Sequence, residues 1–441
     1  MLDLKYVVDH APEIEANCRA RNVPEDVTAE VGRIVALDAD RRALLQTVEE
    51  IRRRQNEAAQ ATGREKDPAR RAALVEQGKA LKLEIAGREE ALKEREAELR
   101  RRLGRLPNLT HPDAPVAATE DGSVELRRVG TPRAFDFPAR DHVAIGKALD
   151  LIDFEAGGKV AGTGFYFLKN DAVLLEMALQ AFAIRKLAAE GFIPIITPDL
   201  ARVSILEGIG FNPRGAETQV YSVADSDLCL IGTAEITLGG MHSGEILDAA
   251  RLPLKYVGLS HCFRTEAGAA GRASRGLYRV HQFTKVEMFA FTEGTLEASG
   301  AMHQDLLRVE EEIFAALGVP YRVLDICSGD LGGPAYRKFD LEAWMPGRGE
   351  SGEYGEVTST SDCTDYQARR LDIRYRPAGQ KGTRFVHTLN GTAVALSRAM
   401  IAVLENYQRA DGLVDVPEVL RPYVGKDVIG GDLPNSRGAD R

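Results

Sequence analysis

Cysteine is scarce in this 441-residue chain, with five residues at positions 18, 229, 262, 327 and 363. None of them forms a C-x-x-C pair or a zinc-ligand spacing, which argues against a metal site built on thiolates. A sparse, odd count fits reduced thiols in a cytoplasm. Long apolar runs are also missing. None reaches the roughly 18 residues that a membrane span needs, so no membrane partner is expected. The first residues, MLDLKYVVDHAPEIEANCRA, lack the apolar segment of a signal peptide and the basic, acid-poor character of a transit peptide. No internal repeat occurs. The net charge of −9 speaks against a protein coated overall with basic residues, while leaving room for local patches. What remains is 44% apolar and 28% charged, the composition of a soluble chain long enough for more than one domain.

Heptad order appears early. Ile34, Leu37, Arg41, Leu44, Val48, Ile51, Gln55 and Ala58 follow alternating steps of three and four, and six of these eight are apolar. After a break at ATGREKDP the pattern resumes with Leu74, Gly78, Leu81, Ile85, Arg88, Leu92, Arg95 and Leu99. Two such helices joined by a Gly/Pro turn predict an antiparallel coiled-coil hairpin over about 27–103. Each arm would be about 50 Å long at 1.5 Å per residue. Residues 52–71, around its tip, hold seven basic side chains (Arg52, Arg53, Arg54, Arg64, Lys66, Arg70, Arg71) against three acidic ones. Two readings stand at this point: an arm that binds nucleic-acid phosphates, or an ordinary solvated coiled-coil face.

The proline-rich GRLPNLTHPDAP divides an N-terminal domain, 1–105, from a second domain, 106–425, and the tail 426–441 has little to bury. In the second domain, helices are expected over His142–Leu151, Leu174–Gly191, Leu296–Leu317 and Gly391–Tyr407. Core contacts are expected from Leu174, Met177, Leu179 and Phe182. Strands are expected over Phe192–Ile196, Cys229–Ile236, Pro253–Phe263, Tyr321–Cys327, Tyr336–Met345, Tyr354–Ser359 and Phe385–Leu389. Strands without regular βα alternation predict an α+β domain with a mainly antiparallel sheet flanked by helices.

One stretch of this domain, His261–Phe291, places four arginines, two glutamates and a lysine among aromatic, strand-like residues. Charges inside strands are costly unless something binds them. Period-two alternation would put Arg264 and Glu266 on one face. A cation and a carboxylate there, facing Phe283, could take a phosphate and a purine together; a salt-bridged hairpin with a solvated loop is the other reading. The glycines at 268, 271 and 276 lack the ending of a P-loop and do not open a helix. His281, beside Phe283, reads more naturally as a packed histidine than as a general base. Three companions carry polar groups at strand or helix ends: GTAE (232–235), YGEVTSTS (354–361) and TLNGTAVALSR (388–398).

Together these motifs resemble the class II aminoacyl-tRNA synthetases, in the form found in seryl-tRNA synthetases. FRTEAG followed by GLYRVHQFTKVE resembles motif 2. Phe192–Pro198 resembles motif 1, which would place Pro198 at a homodimer interface. TLNGTAVALSRAMIAVLENYQ followed by VPEVLRPY resembles motif 3 and its continuation. GTAE, EVTSTSDCTDYQARR and the N-terminal helical hairpin complete the likeness, which runs to about residue 425.

The resemblance implies a cytoplasmic, homodimeric ligase. It would activate L-serine with ATP to seryl-adenylate, release pyrophosphate, and pass serine to the 3′ end of tRNA(Ser), and of tRNA(Sec) where present. It implies that Arg264 holds the α-phosphate and also meets serine, and that Glu266, next to Thr265, takes the adenine amino group. Phe283 and Arg398 would sandwich the adenine, a geometry that cation–π attraction favours. Arg279 would meet the distal phosphate, with Val280 along the nucleotide; Arg264, Glu266 and Arg398 are the implied catalytic set. Glu356 and Ser359 would ligate Mg2+, with Val357 and Thr358 beside them in the ATP-binding strand. Thr233 and Glu235 would receive the serine amino group, with Ala234 alongside. Glu287 and Thr392, supported by Asn390, would hold its hydroxyl. The basic tip would recognise the long variable arm of the tRNA by backbone and shape, and the active site its acceptor end. DNA is not an expected partner. The sequence departs from the common motif 2 loop at Ala273 and from the usual wording over Gly210–Gln219. A catalytically silent tRNA-binding relative and an amino acid:carrier-protein ligase are the alternatives. Retention of Arg264, Glu266, Glu287, Glu356 and Arg398 disfavours the first, and the long arm disfavours the second.

Overall fold

A computed structural model describes residues 1–211, 219–266 and 276–431. Ala273, Gly268, Gly271, most of the Gly210–Gln219 segment and most of the expected tail lie outside these residues. The chain divides into two compact units, Met1–Leu109 and Thr110–Arg441. The sequence boundary of 105/106 falls just short of this division, because Leu106 is fully buried in the first unit's core and Leu109 packs against it.

In the first unit, helices α1 (Glu30–Arg64) and α2 (Pro68–Leu103) form the long hairpin. Only residues 65–67 separate them, and Asp67 ends the turn by accepting the Arg70 amide as an N-cap at 2.8 Å. Pro68 follows at the first helical position, where its missing N–H costs nothing. The seam is apolar in two separate stretches. Ile51, Ala58, Leu81 and Ile85 form one along the arm. Val31, Ile34, Leu99 and Leu103 form the other at its base, where two short helices, Leu4–Asp9 and Ala11–Ala20, add Val7, Ile14 and Cys18. A buried Glu30 ties the base by accepting from Arg102 at 2.7 Å. The seven basic tip residues are all exposed.

The second unit is built on an eight-stranded sheet. Its strands are β1 (Val124–Val129), β2 (Ile193–Ile196), β3 (Leu254–Phe263), β4 (Gln282–Thr292), β5 (Tyr321–Asp325), β6 (Arg337–Met345), β7 (Glu353–Asp362) and β8 (His387–Ala395). Their spatial order is β1-β5-β6-β7-β8-β4-β3-β2, antiparallel throughout except for β2 beside β3. Helices α3 (Asp171–Ala189), α4 (Ala234–Gly240), α5 (Leu296–Ala316) and α6 (Leu396–Asn406) pack on it. β4 is covered on both faces. Val286, Met288 and Ala290 join the main core with α3, α5 and α6, while Phe289 and Phe291 join a second cluster with α4.

Four local expectations are corrected. The run Cys229–Ile236 is not one strand: a strand covers Leu228–Leu230 and α4 begins at Ala234, because the Thr233 hydroxyl accepts the Glu235 amide at 3.2 Å and caps a helix. The expected helix Gly391–Tyr407 begins only at Leu396, and β8 runs on to Ala395. Gly391 serves close approach rather than a turn. A Cβ there would come within 3.0 Å of Glu310 Oε1 and 3.1 Å of Thr360 Oγ1. Arg264 and Glu266 do not share a strand face, since β3 ends at Phe263 and Glu266 adopts a φ of +50°. On α3, Leu179 and Phe182 are core residues but Leu174 and Met177 are exposed, at 39% and 60%.

Candidate active site

A cleft of about 520 Å³ opens on the side of the sheet away from α5. Alternation along β4 delivers Phe283, Lys285 and Glu287 to it in sequence. β8 adds Asn390 and Thr392, and α6 adds Arg398 from its first turn. β7 contributes Glu356 and Ser359, three residues apart, which a regular strand would send to opposite faces. The register between β6 and β7 shifts at this point: Leu341 pairs with Thr358 and Glu342 with Glu356, leaving Val357 as an extra residue. That bulge resets the alternation and brings both oxygen donors to the cleft.

One end of the cleft is small and densely hydrogen-bonded. Glu287, 1% exposed, pairs with Lys285 at 2.6 Å and accepts from the Thr392 hydroxyl at 3.3 Å. Lys285 Nζ also reaches Thr392 Oγ1 at 3.4 Å. Behind this group lies Glu235, whose Oε1 accepts from Asn390 Nδ2 at 2.9 Å and from Gln367 Nε2 at 2.7 Å. Gln367 is held in turn by the Thr388 hydroxyl at 2.7 Å. Burial, with Glu287 adding, pushes the Glu235 carboxyl up to about 7. Thr233, Ala234 and Glu235 are buried behind the cleft wall, and Asn390 connects them to it. Thr265 also stands outside the wall, its amide donating to Gln219 O at 3.2 Å.

The other end is cationic and aromatic. Arg264 donates through Nε to Gly232 O at 3.3 Å and lies over the Phe283 ring at 5.3 Å. Its amide still pairs with His281 O at 2.9 Å, beyond the end of β3. Arg279, next to Val280 in the wall, forms an ion pair with Glu266. Arg398 pairs with Glu356 Oε2 at 3.1 Å and lies over the Tyr278 ring at 4.7 Å. Burial opposes ionisation of Glu356, but Arg398 and Lys338 outweigh it and hold its carboxyl low. Asp340 is pushed up by burial and by the Glu356 charge, with Lys338 opposing. His281 is packed as its neighbours indicated, stacked on Phe165 and 2.7 Å from the Tyr221 hydroxyl.

The cleft thus gathers Arg264, Glu266, Arg279, Val280, Phe283, Glu287, Glu356, Val357, Thr358, Ser359, Asn390, Thr392 and Arg398 from separate stretches of the chain. Sequence reasoning missed Lys285, Tyr278, Gln367 and Lys338. Lys285 was within reach, since it precedes Glu287 by one strand period. Gln367 lies in the EVTSTSDCTDYQARR segment but is brought to the site by tertiary packing, as is Lys338, which left no local signal.

Chemically, a wall with cations and aromatics at one end and a buried carboxylate–hydroxyl pair at the other can hold a nucleotide triphosphate beside a small hydroxylated amine. Residues 1–110 match the seryl-tRNA synthetase N-terminal domain family, and residues 219–407 match the class II tRNA synthetase core domain of the G, H, P, S and T group. The serine–tRNA ligase of Rhodopirellula baltica is 56% identical over 430 residues, covering 97% of this chain and 99% of that protein. That of Rubrobacter xylanophilus is also 56% identical, covering 98% and 99%. Among solved structures, seryl-tRNA synthetase from Pyrococcus horikoshii complexed with ATP aligns with a TM-score of 0.90 and 38% identity, covering 97% of this chain and 99% of that one. The cytoplasmic serine–tRNA ligase of Naegleria fowleri in complex with AMP aligns at 0.86 and 34%, covering 97% and 98%.

Proposed function

The chain belongs to the seryl-tRNA synthetase family, and on that premise we propose how its residues divide the work of a class II serine–tRNA ligase. The enzyme binds ATP and joins L-serine to it, then passes the seryl group to tRNA. In the first step a serine carboxylate oxygen attacks the α-phosphorus, and the bond from that phosphorus to the bridging oxygen breaks to release pyrophosphate. No side-chain nucleophile is required, so rate comes from alignment and charge neutralisation.

Arg264 takes the α-phosphate and the serine carboxylate. Phe283 and Arg398 hold the adenine between them, with the Glu266 carboxylate on its amino group. Arg279 exchanges the Glu266 carboxylate for the distal phosphate. Thr233 and Glu235 receive the serine amino group, and Glu287 and Thr392 its hydroxyl. A site whose buried polar groups need a hydroxyl rejects alanine and glycine, because those groups would be left unpaired. Glu356 and Ser359 are hard oxygen donors on one face, and the low-lying Glu356 carboxyl is ionised, so the pair fits Mg2+. The ion would neutralise phosphate charge when bound.

The basic hairpin tip takes the long variable arm of tRNA(Ser), and of tRNA(Sec) where present, while the cleft admits the acceptor end. A homodimer is supported by the apolar surface at the sheet edge, where Ile193 and Ile196 of β2 are 49% and 84% exposed and Met177 of α3 is exposed nearby in the chain. Five buried free thiols suit the cytoplasm.

The observation that carries this reading is the single cleft in which an Arg–aromatic nucleotide wall adjoins the Glu287–Thr392 pair. Serine-dependent exchange of pyrophosphate into ATP, followed by charging of tRNA(Ser) with labelled serine, tests it. Exchange driven equally by alanine, or absent with serine and Mg2+, would sink it.

A further inference from the structure

Glu310 has no part in the chemistry above. It lies on α5, beneath the cleft, and is fully buried. Neither carboxyl oxygen receives a hydrogen bond of ordinary geometry from a described residue. Burial is the main influence on its carboxyl and pushes it up; the Thr358 hydroxyl opposes this, and Glu287, Asp340 and Glu311, all acidic, add to the rise. An ionised carboxylate would be very costly there. A neutral acid needs only an acceptor.

The acceptor is supplied by the way the sheet opens under the cleft. β7 and β8 pair from Asp362↔Leu389 to Thr360↔Gly391 and then part. Threonine hydroxyls of β7 bridge the seam: Thr360 Oγ1 donates to Asn390 O at 2.9 Å, and Thr358 Oγ1 donates to Thr392 O. α5 lies under this seam. His303 Nε2 stands 3.1 Å from Thr360 O, and two turns later the Glu310 carboxyl faces the Thr358 hydroxyl. Thr358 has one proton, already committed to Thr392 O, so toward Glu310 it can only accept. Gly391 leaves the room that this approach needs, with Glu310 Oε1 only 3.0 Å from where a Cβ would stand.

We infer that Glu310 is a positioning residue: as a neutral carboxylic acid it donates to Thr358 Oγ1 and fixes the Thr358–Thr392 bridge across the open seam. Through that bridge it holds the Thr392 hydroxyl on Glu287. The link runs from the helix under the sheet to the serine end of the cleft. It rests on the reading of Glu287 and Thr392 as the serine pocket.

The test is serine-dependent pyrophosphate exchange with Glu310→Gln, Glu310→Leu and, as a control, Glu287→Leu in the full-length enzyme. Glu310→Gln keeps a neutral donor and should stay within about threefold of the parent in serine KM, whereas Glu310→Leu should raise it about tenfold. KM for ATP should move by less than about threefold in both, since no nucleotide contact is lost. In parallel, the infrared stretch of a protonated carboxyl should persist at about pH 8.5, where ordinary carboxyls are ionised, and vanish in Glu310→Gln. That measurement stands even if Glu310→Leu does not fold. An unchanged serine KM in Glu310→Leu, equal damage from Glu310→Gln and Glu310→Leu, or no Glu310-dependent band would overturn the inference. If Glu287→Leu loses serine use while Glu310→Leu keeps it, the inference alone fails. If Glu287→Leu keeps serine use, the pocket reading fails and takes the inference with it.

Discussion

Replacing Glu287 by Leu separates what the Lys285–Glu287 pair does for the fold from what it does for serine. Lys285 is 5% exposed, and without Glu287 its remaining described side-chain contact is the Thr392 hydroxyl at 3.4 Å. Leaving one member of a buried ion pair alone costs about 3–5 kcal/mol. Removing both charges, as in Lys285→Met with Glu287→Leu, should recover about 2–3 kcal/mol of that loss, because no uncompensated charge remains. Catalysis should not recover. A hydroxyl hydrogen-bonded to a carboxylate contributes about 1.5–3 kcal/mol. Its loss lowers kcat/KM for serine by about 10- to 150-fold. Alanine, which offers no hydroxyl, should be affected far less, so the serine-to-alanine preference should shrink by a similar factor. Denaturant unfolding reads the first quantity and pyrophosphate exchange the second. A double variant no more stable than Glu287→Leu would refute the ion-pair reasoning. An unchanged serine-to-alanine ratio would remove Glu287 from the hydroxyl.

Three further outcomes are expected. Glu235 titrates near 7 in the fold against about 4.5 unfolded, so its contribution to stability is full below the unfolded value and is lost as pH rises through about 7. Amine binding needs it ionised, so serine KM should fall over the same rise in pH; a limb that survives in Glu235→Gln would assign it elsewhere. Arg279→Ala should raise KM for ATP about tenfold with little change for serine, measured by exchange with each substrate varied; a larger effect on serine would contradict its phosphate role. Removing residues 45–91 and closing the arm with a short turn should abolish tRNA charging while sparing serine activation. This trim retains Val31, Ile34, Leu99 and Leu103, the buried base of the first unit; equal loss of both activities would show that the arm has another task.

Much of this was legible in sequence because it is local. The two heptad runs specify a hairpin, since a three-and-four spacing has an apolar stripe only as a helix. Motif residues on one strand, such as Phe283 and Glu287, follow from alternation. Where backbone conformation depends on distant packing, local rules misled. The Asn-Gly of TLNGTAV reads as a turn into a helix, yet Gly391 continues a strand, paired with Met288 of β4 on one side and Thr360 of β7 on the other. The run after Cys229 reads as strand, yet the Thr233 cap starts a helix.

Sequence alone marked the candidate side chains: short-range patterns of charge and polarity in otherwise apolar elements are visible without a fold. Only the tertiary structure decided how they meet. The bulge at Val357 puts Glu356 and Ser359 on one face. The cleft brings Arg279 onto Glu266, and Lys285 onto both Glu287 and Thr392. Glu310 has no local signature at all, being in sequence one of several glutamates on a helix. It gains its role from two strands that part above it, and both are distant from it in the chain. A buried polar group is defined by its neighbours, and packing chooses those neighbours.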